Sequence, residues 1–201
     1  MDFTKTKENL ERNGFAVSCF DTAAEAVAYL KAQVTDTTVS FGGSVTVQEM
    51  GLYDALAEQN QVFWHWRVPA GQTGPEVLAE AMTTEVYFSS VNGLAETGEI
   101  INIDGNCNRV AGIFYGHKRV FLLVGENKLA PDYDAALYRA RNIAAPKNAQ
   151  RLGTKTPCAV KGDKCYDCKS PARICRGVNV LWRAPNGAKY EVILIHEPLG
   201  Y

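Results

Sequence analysis

Short apolar runs alternate with amphipathic stretches through the first two-thirds of the chain, and that alternation restricts the fold more than any other feature. Residues 3–13 are polar and helix-compatible, with Phe3 and Leu10 seven apart on one face. FAVSCF (15–20) has strand character, and DTAAEAVAYLKAQV follows as an alanine-rich helix in which Thr22 and Glu25 have capping-box spacing. TTVSFGG (37–43) reads as a buried strand running into a glycine turn. SVTVQEMGLYDALAEQ continues as a helix with Ser44 or Thr46 available as N-cap. VFWHW (62–66) has strand character again. TGPEVLAEAM (73–82) then opens a helix, with Pro75 in its first turn and Glu76 three residues after Thr73. Strand and helix in regular succession predict an α/β fold with a mostly parallel sheet and flanking helices.

Beyond residue 84 the rhythm changes. VYFSS, GEIINI and RVAGIFY read as three strands separated by Gly/Asn turns, which adds an antiparallel section and predicts a mixed sheet. RVFLLVGEN (119–127) reads as a central strand and PDYDAALYRARNIAA (131–145) as a helix ending near Pro146. NVLWRA and KYEVILIHE are strand-like segments on either side of the turn PNG. The expected organisation is an α/β domain over residues 1–150. Residues 151–201 are expected to supply a cysteine loop and C-terminal strands packed on the same domain.

Composition narrows the function classes. Hydrophobic residues make up 46% of 201 and charged residues 21%, enough for a sizeable core. A formal net charge of −1 gives no global field towards nucleic acid or an anionic membrane, so neither is an expected partner. The N-terminus carries no apolar signal-peptide core and no apolar run is long enough to span a bilayer. A cytoplasmic location is the expectation, and a reducing compartment disfavours structural disulfides.

Two segments qualify as ligand sites. In VSFGGSVT a buried strand ends, Gly42 and Gly43 allow a tight turn, and Ser44 starts a helix whose free N–H groups attract phosphates or carboxylates. Neither G-x-G-x-x-G nor G-x-x-x-x-G-K-[ST] is present, so the alternative is an ordinary capped β–α turn. SSVNGLAETGEIINIDGNCN crowds Asn92, Glu96, Thr97, Glu99, Asn102 and Asp104 between and along apolar strands. Strand alternation puts Ile101 and Ile103 on one face, Asn102 and Asp104 on the other. The paired carboxylates Glu96 and Glu99 are the candidate acid–base residues, against the alternative that this is hairpin turn chemistry. Lys128 follows the expected central strand, where open α/β sheets put their ligands. His65, between two tryptophans, reads as a packed histidine. His117 and His196 read as surface or strand-end residues.

Four of the six cysteines fall within eighteen residues as C-x6-C-x2-C-x6-C: Cys158, Cys165, Cys168 and Cys175. Four thiolates suit structural zinc, but zinc ribbons usually present two CxxC knuckles and here there is one. A [4Fe–4S] cluster also takes four thiolates and suits wide loops around one CxxC, so an iron–sulfur cluster is favoured, with zinc as the alternative. Lys155, Lys161, Lys164, Lys169, Arg173 and Arg176 offset the thiolate charge. Such a metal either staples the C-terminal segment or exchanges electrons with a ligand at the glycine turn.

Taken together, FGGSVTVQEMG, SSVNGLAETGEIINIDGNCNRVAGIFYG, VFLLVGENKLAPD, ARNIAAPKNAQRL and TPCAVKGDKCYDCKSPARIC resemble the lactate-utilisation (LUD) domain family, in its stand-alone form with a C-terminal cysteine loop. The resemblance implies a fold akin to the NagB/RpiA/CoA-transferase group, with ligands at the strand C-termini. It implies that Gly42, Gly43, Ser44 and Thr46 hold the anionic part of a small metabolite, with Asn92, Glu96 and Thr97 on the opposite wall. It also implies a setting in which lactate is oxidised to pyruvate alongside iron–sulfur partner proteins. If the chain is an enzyme, it would be an oxidoreductase component of that oxidation. The alternative is a non-catalytic binding or scaffold module with a purely structural metal, and a homo-oligomer is compatible with either. Cys107 stands in DGNCN where the family pattern has glycine, and its role, like that of Cys19, stays open.

Overall fold

The computed structural model describes residues 3–201. Its first half runs α1 (Phe3–Arg12), β1 (Ala16–Phe20), α2 (Ala23–Gln33), β2 (Thr38–Phe41), α3 (Val45–Glu49), α4 (Leu52–Ala57), β3 (Gln61–Phe63), α5 (Gly74–Ala81) and β4 (Val86–Ser90). The second half continues with β5 (Gly93–Ala95), β6 (Ile100–Asp104), α6 (Asn108–Phe114), β7 (Arg119–Gly125), β8 (Leu129–Ala130), α7 (Tyr133–Arg139) and α8 (Ala145–Arg151). It closes with α9 (Pro157–Lys161), β9 (Gly177–Leu181) and β10 (Lys189–Ile195). Among these residues no helix is long and apolar enough to cross a membrane.

The α/β class is as expected, but all the antiparallel pairing lies in a second, smaller sheet. Six strands in the order β1-β10-β7-β4-β2-β3 pair in parallel throughout. Four short strands in the order β8-β5-β6-β9 make a second sheet, antiparallel at β5–β6 and β6–β9 and parallel at β5–β8. The reason is legible in β7. Its residues are apolar on both faces: Phe121 and Leu123 enter the core under α2, α3 and α4, whereas Val120, Leu122 and Val124 enter the core shared with α1, α6 and the small sheet. A strand with two apolar faces needs a cover on each, which a parallel sheet with layers on both sides provides. The small sheet's outer face is covered in turn, with Ala95, Ile101 and Ala130 packing on Ala136 and Ala140.

Both capping boxes form, Thr22 with Glu25 and Thr73 with Glu76. Several expectations need correction. SVTVQEMGLYDALAEQ is two short helices, because Gly51 takes a left-handed conformation (φ 62°) and restarts the backbone at α4. VFWHW is a strand only through Phe63, after which a turn closed by Arg67 N–H to Trp64 O leads away from the sheet. RVAGIFY is helix α6, not a strand. Val110 and Ile113, three apart, are its buried face, and the Asp104 carboxylate accepts from Val110 N–H at 3.1 Å. NVLWRA and KYEVILIHE both supply strands, as expected, but in different sheets: β9 edges the small sheet and β10 enters the large one between β1 and β7.

Pro146 does not end its helix either. A π-helical turn at Ala140–Ala144 precedes it, with Ala145 N–H bonding Ala140 O five residues back, and α8 continues to Arg151. The widened turn accommodates a proline that cannot donate to the ladder.

Gly93 shows how tightly the small sheet is held. A Cβ there would sit 2.5 Å from the Ala136 carbonyl oxygen of α7, backbone against backbone. Gly93→Ala is therefore expected to cost about 1–3 kcal/mol in urea or thermal unfolding, since neither partner can yield without moving the strand from the helix.

Candidate functional site

The ends of β2, β4 and β7, neighbours in the large sheet, open into one pocket of about 590 Å³. Gly43 and Ser44 come from the turn after β2, Thr46 from α3, Ser90 from the end of β4, and Lys128 from a 3₁₀ turn after β7. Asn92, Asp104 and Arg109 form another wall, and Ala144, Arg151 and the loop segment around Arg173 complete the lining. Strand C-termini in a parallel sheet are where such folds expose backbone and side chains to ligands.

Buried positive charge sets this pocket apart. Lys128 is 3% exposed, and its Nζ donates to Thr46 Oγ1 and Ser90 Oγ, each at 2.7 Å. Both hydroxyls donate onward, to Leu199 O and Leu123 O. Burial pushes the Lys128 pKa well below its ordinary value, and the nearby Arg139 and Arg109 charges push the same way, opposed by Glu49. The Arg109 guanidinium donates to Ser90 O (3.1 Å), Asn92 Oδ1 (3.0 Å), Ile103 O (2.8 Å) and Asn102 Oδ1. Burial lowers its pKa too, partly offset by Asp104. Arg139 donates to the main-chain oxygens of Asn127, Asn92 and Tyr201, and burial brings it down to about 10. Among the described residues none of these three cations forms an ion pair with an Asp or Glu side chain. Arg139 does not itself line the pocket; Lys128 and Arg109 do, and a cavity with such walls attracts anions.

The sequence-derived candidates divide accordingly. Gly43, Ser44, Thr46, Asn92 and Lys128 line the pocket together. The Ser44 hydroxyl accepts from Val47 N–H as the expected cap, but α3 is only five residues long, so the charge comes from Lys128 and Arg109 rather than from a helix dipole. Gly42 stands behind the wall. A Cβ there would meet Arg109 Cγ and Tyr87 Oη at 2.7 Å, so its bareness admits the arginine. Glu96, Thr97 and Glu99 are not brought to the pocket. They occupy the β5–β6 turn, where Glu96 pairs with Lys5 at 2.6 Å and Thr97 hydrogen-bonds Glu99, and where turn geometry determines the residue types.

Two of the three histidines need revision. His65 lines the pocket with a buried Nδ1 that has no partner among the described residues, and burial lowers its pKa against the pull of Asp104. His117 is buried, stacked on Tyr87 at 4.7 Å between ring centres, and not at the surface. His196 is exposed just past the end of β10, as expected, its ring tilted against Phe3 at 4.1 Å between centres. Arg109 and Ser90 went unread in the sequence. Arg109 lay in the segment read as a strand, and the signal that marks it is the Asn102/Asp104 face of β6, which needs a buried donor.

The four loop cysteines are free thiols that border one cavity of about 20 Å³, together with Arg141, Ala145, Thr156, Arg173 and Ile174. Among the described residues no three His, Cys, Asp or Glu side chains are gathered closely enough to hold an ion as they stand. The donor chemistry nevertheless fits a thiolate-bound metal. Asp167, left-handed at φ 44°, turns its N–H onto Cys165 Sγ at 3.3 Å, and the Thr156 hydroxyl lies 3.3 Å from Cys158 Sγ. Hydrogen bonds of this kind stabilise ligating sulfur. The loop is tied to the π-helical turn through Asn142 Oδ1, which accepts from Cys165 N–H, and through the Arg141–Asp167 ion pair at 3.0 Å.

Comparison with known proteins agrees with this architecture. A DUF162 family protein from Deinococcus radiodurans superposes with a TM-score of 0.56 at 14% identity, covering 95% of this chain and 94% of that one. Partial likenesses are to eIF2B beta from Chaetomium thermophilum (TM-score 0.38, 13% identity, 56% of this chain and 44% of that one) and to ribose 5-phosphate isomerase A from Neisseria gonorrhoeae (0.33, 12%, 55% and 52%). No curated protein matches the sequence. The LUD domain model matches residues 3–195, nearly the whole described chain, so the protein belongs to the LUD domain family and shares, at the level of that family, a role in lactate utilisation.

Proposed function

We propose that the chain binds a small carboxylate of the 2-hydroxy-acid class in the Lys128–Arg109 pocket and carries a metal centre, a [4Fe–4S] cluster rather than zinc, on Cys158, Cys165, Cys168 and Cys175. The observation that carries the first part is the unpaired buried cation. Lys128 spends two of its three N–H donors on Thr46 and Ser90, and the third has no partner among the described residues. A bound carboxylate supplies that partner and the missing negative charge together. His65, neutral at pH 7 because burial lowers its pKa, lines the same pocket and can take up a proton from a bound hydroxyl group. It replaces Glu96 and Glu99 as the acid–base candidate.

Bound to the loop, a cluster would supply one-electron chemistry, and iron–sulfur proteins of the same pathway would be the electron-transfer partners. The test begins with calorimetric titration of L-lactate and pyruvate, where binding is expected for the native chain. Anaerobically purified protein is expected to show broad blue–violet absorbance with about four irons per chain. A colourless protein with one zinc would exclude the cluster and leave the thiolate site. Absence of both metals would exclude the site, and failure of every small carboxylate to bind would exclude the pocket reading.

A further inference from the structure

The anion pocket and the cysteine cavity share a wall. Ala145, Arg173 and Ile174 border both, and Pro171, Ala172 and Arg176 extend the pocket's side of it. This stretch of loop has little of its own to hold it. Between α9 and β9 there is no helix or strand, and no residue from 162 to 176 is fully buried. Two of its cysteine-bearing stretches are bridged by Arg173, whose guanidinium donates to Cys168 O (2.8 Å), Cys175 O (2.9 Å) and Asp167 Oδ1 (3.2 Å). The loop touches the pocket's other wall directly: Arg176 N–H bonds Asp104 O at 2.9 Å, and the Ile174 carbonyl would lie 2.8 Å from a Cβ on Gly105. Arg173, one of four arginines that line the anion pocket, is thus positioned by the backbone of two cysteines.

We propose that the cysteine loop is the outer wall of the anion site, and that filling the four-thiolate site determines anion affinity by fixing Arg173 and Ile174 in place. This rests on the proposed thiolate metal site and pocket but adds a coupling that neither requires. Without a metal the segment is held only by polar ties such as the exposed Arg141–Asp167 pair, so part of its ordering falls to the incoming anion. With a metal that ordering is already done and binding is correspondingly tighter. Linkage makes the effect reciprocal: the anion must tighten metal binding by the same factor.

The test uses the full chain, metal-loaded and chelator-stripped, titrated with L-lactate and with inorganic phosphate as probes. The loaded chain is expected to bind the better probe about tenfold more tightly, and that probe to lower the metal dissociation constant by the same factor. Arg173→Ala is expected to keep its metal while most of the tenfold difference disappears. A stripped chain that keeps its far-UV circular dichroism and binds as tightly as the loaded one would overturn the coupling and leave both sites standing. If stripping unfolds the chain, loaded Arg173→Ala decides, and unchanged anion affinity in it overturns the proposal. A chain that takes up neither iron nor zinc overturns the metal site, and the coupling with it.

Discussion

Lys128→Met is expected to weaken carboxylate binding by roughly a hundredfold while leaving the fold as stable as before, or more stable. The two halves of that expectation have one cause. Burying an ammonium without a counter-charge opposes folding, and the lowered pKa of Lys128 records that opposition. Methionine fills a similar volume without the charge. The hydroxyls that lose the lysine do not become orphans, because Thr46 still donates to Leu199 O and Ser90 to Leu123 O. A gain in urea midpoint together with loss of calorimetric binding is therefore the signature, and a destabilised variant would show that Lys128 is structural.

The same lysine predicts a pH dependence. With its folded-state pKa below the ordinary 10.5, the native chain releases this proton before the unfolded chain does. In the interval between the two values the unfolded state binds more protons, so native stability rises with pH there. Lys128→Met should flatten that rise. Anion binding runs the other way, because the anion favours the protonated lysine. Affinity should fall as pH climbs through the lowered pKa, with proton uptake on binding seen as a buffer-dependent enthalpy.

How much of this was readable beforehand depends on whether the signal was local. β7 was legible because seven residues in RVFLLVG are almost all apolar, which only a strand covered on both faces tolerates. The capping boxes were legible because Thr and Glu three apart act within one turn. Lys128 was legible as a charge following that strand. Arg109 was not. Its segment mixes β-branched and aromatic residues, and only the Asp104 carboxylate and the packing of Gly112 on the Tyr87 ring select helix over strand. The β5–β6 turn misled for the converse reason: Glu96, Thr97 and Glu99 are what a polar turn contains, and composition cannot say that the turn faces Lys5 instead of the pocket. The cysteine spacing announced a shared cavity, but its wall in common with the anion pocket depends on β9 pairing with β6, far away in sequence.

Arg109→Met is expected to have the opposite outcome to Lys128→Met, although both remove a buried cation from the same pocket. Arg109 bonds four acceptors that belong to different pieces of chain: Ser90 O at the end of β4, Asn92 Oδ1 in the turn beyond it, and Asn102 Oδ1 and Ile103 O on β6. It is the tie between the large sheet and the small one, and Gly42 is bare so that its side chain can pass. Methionine would leave the buried Asn102 Oδ1 without its donor and take a donor from the three pocket-side oxygens, a loss of about 1–3 kcal/mol, seen as a lower urea midpoint with an unchanged slope. Arg109→Lys should not restore it, since a single ammonium cannot reproduce a planar fork spread over four oxygens. Anion binding should fail in both variants, because the wall carrying Asn92 and Asp104 loses its anchor. If Arg109→Met instead unfolded at the wild-type midpoint, the guanidinium would be a ligand-binding group alone, and the two sheets would be held together by their apolar contacts.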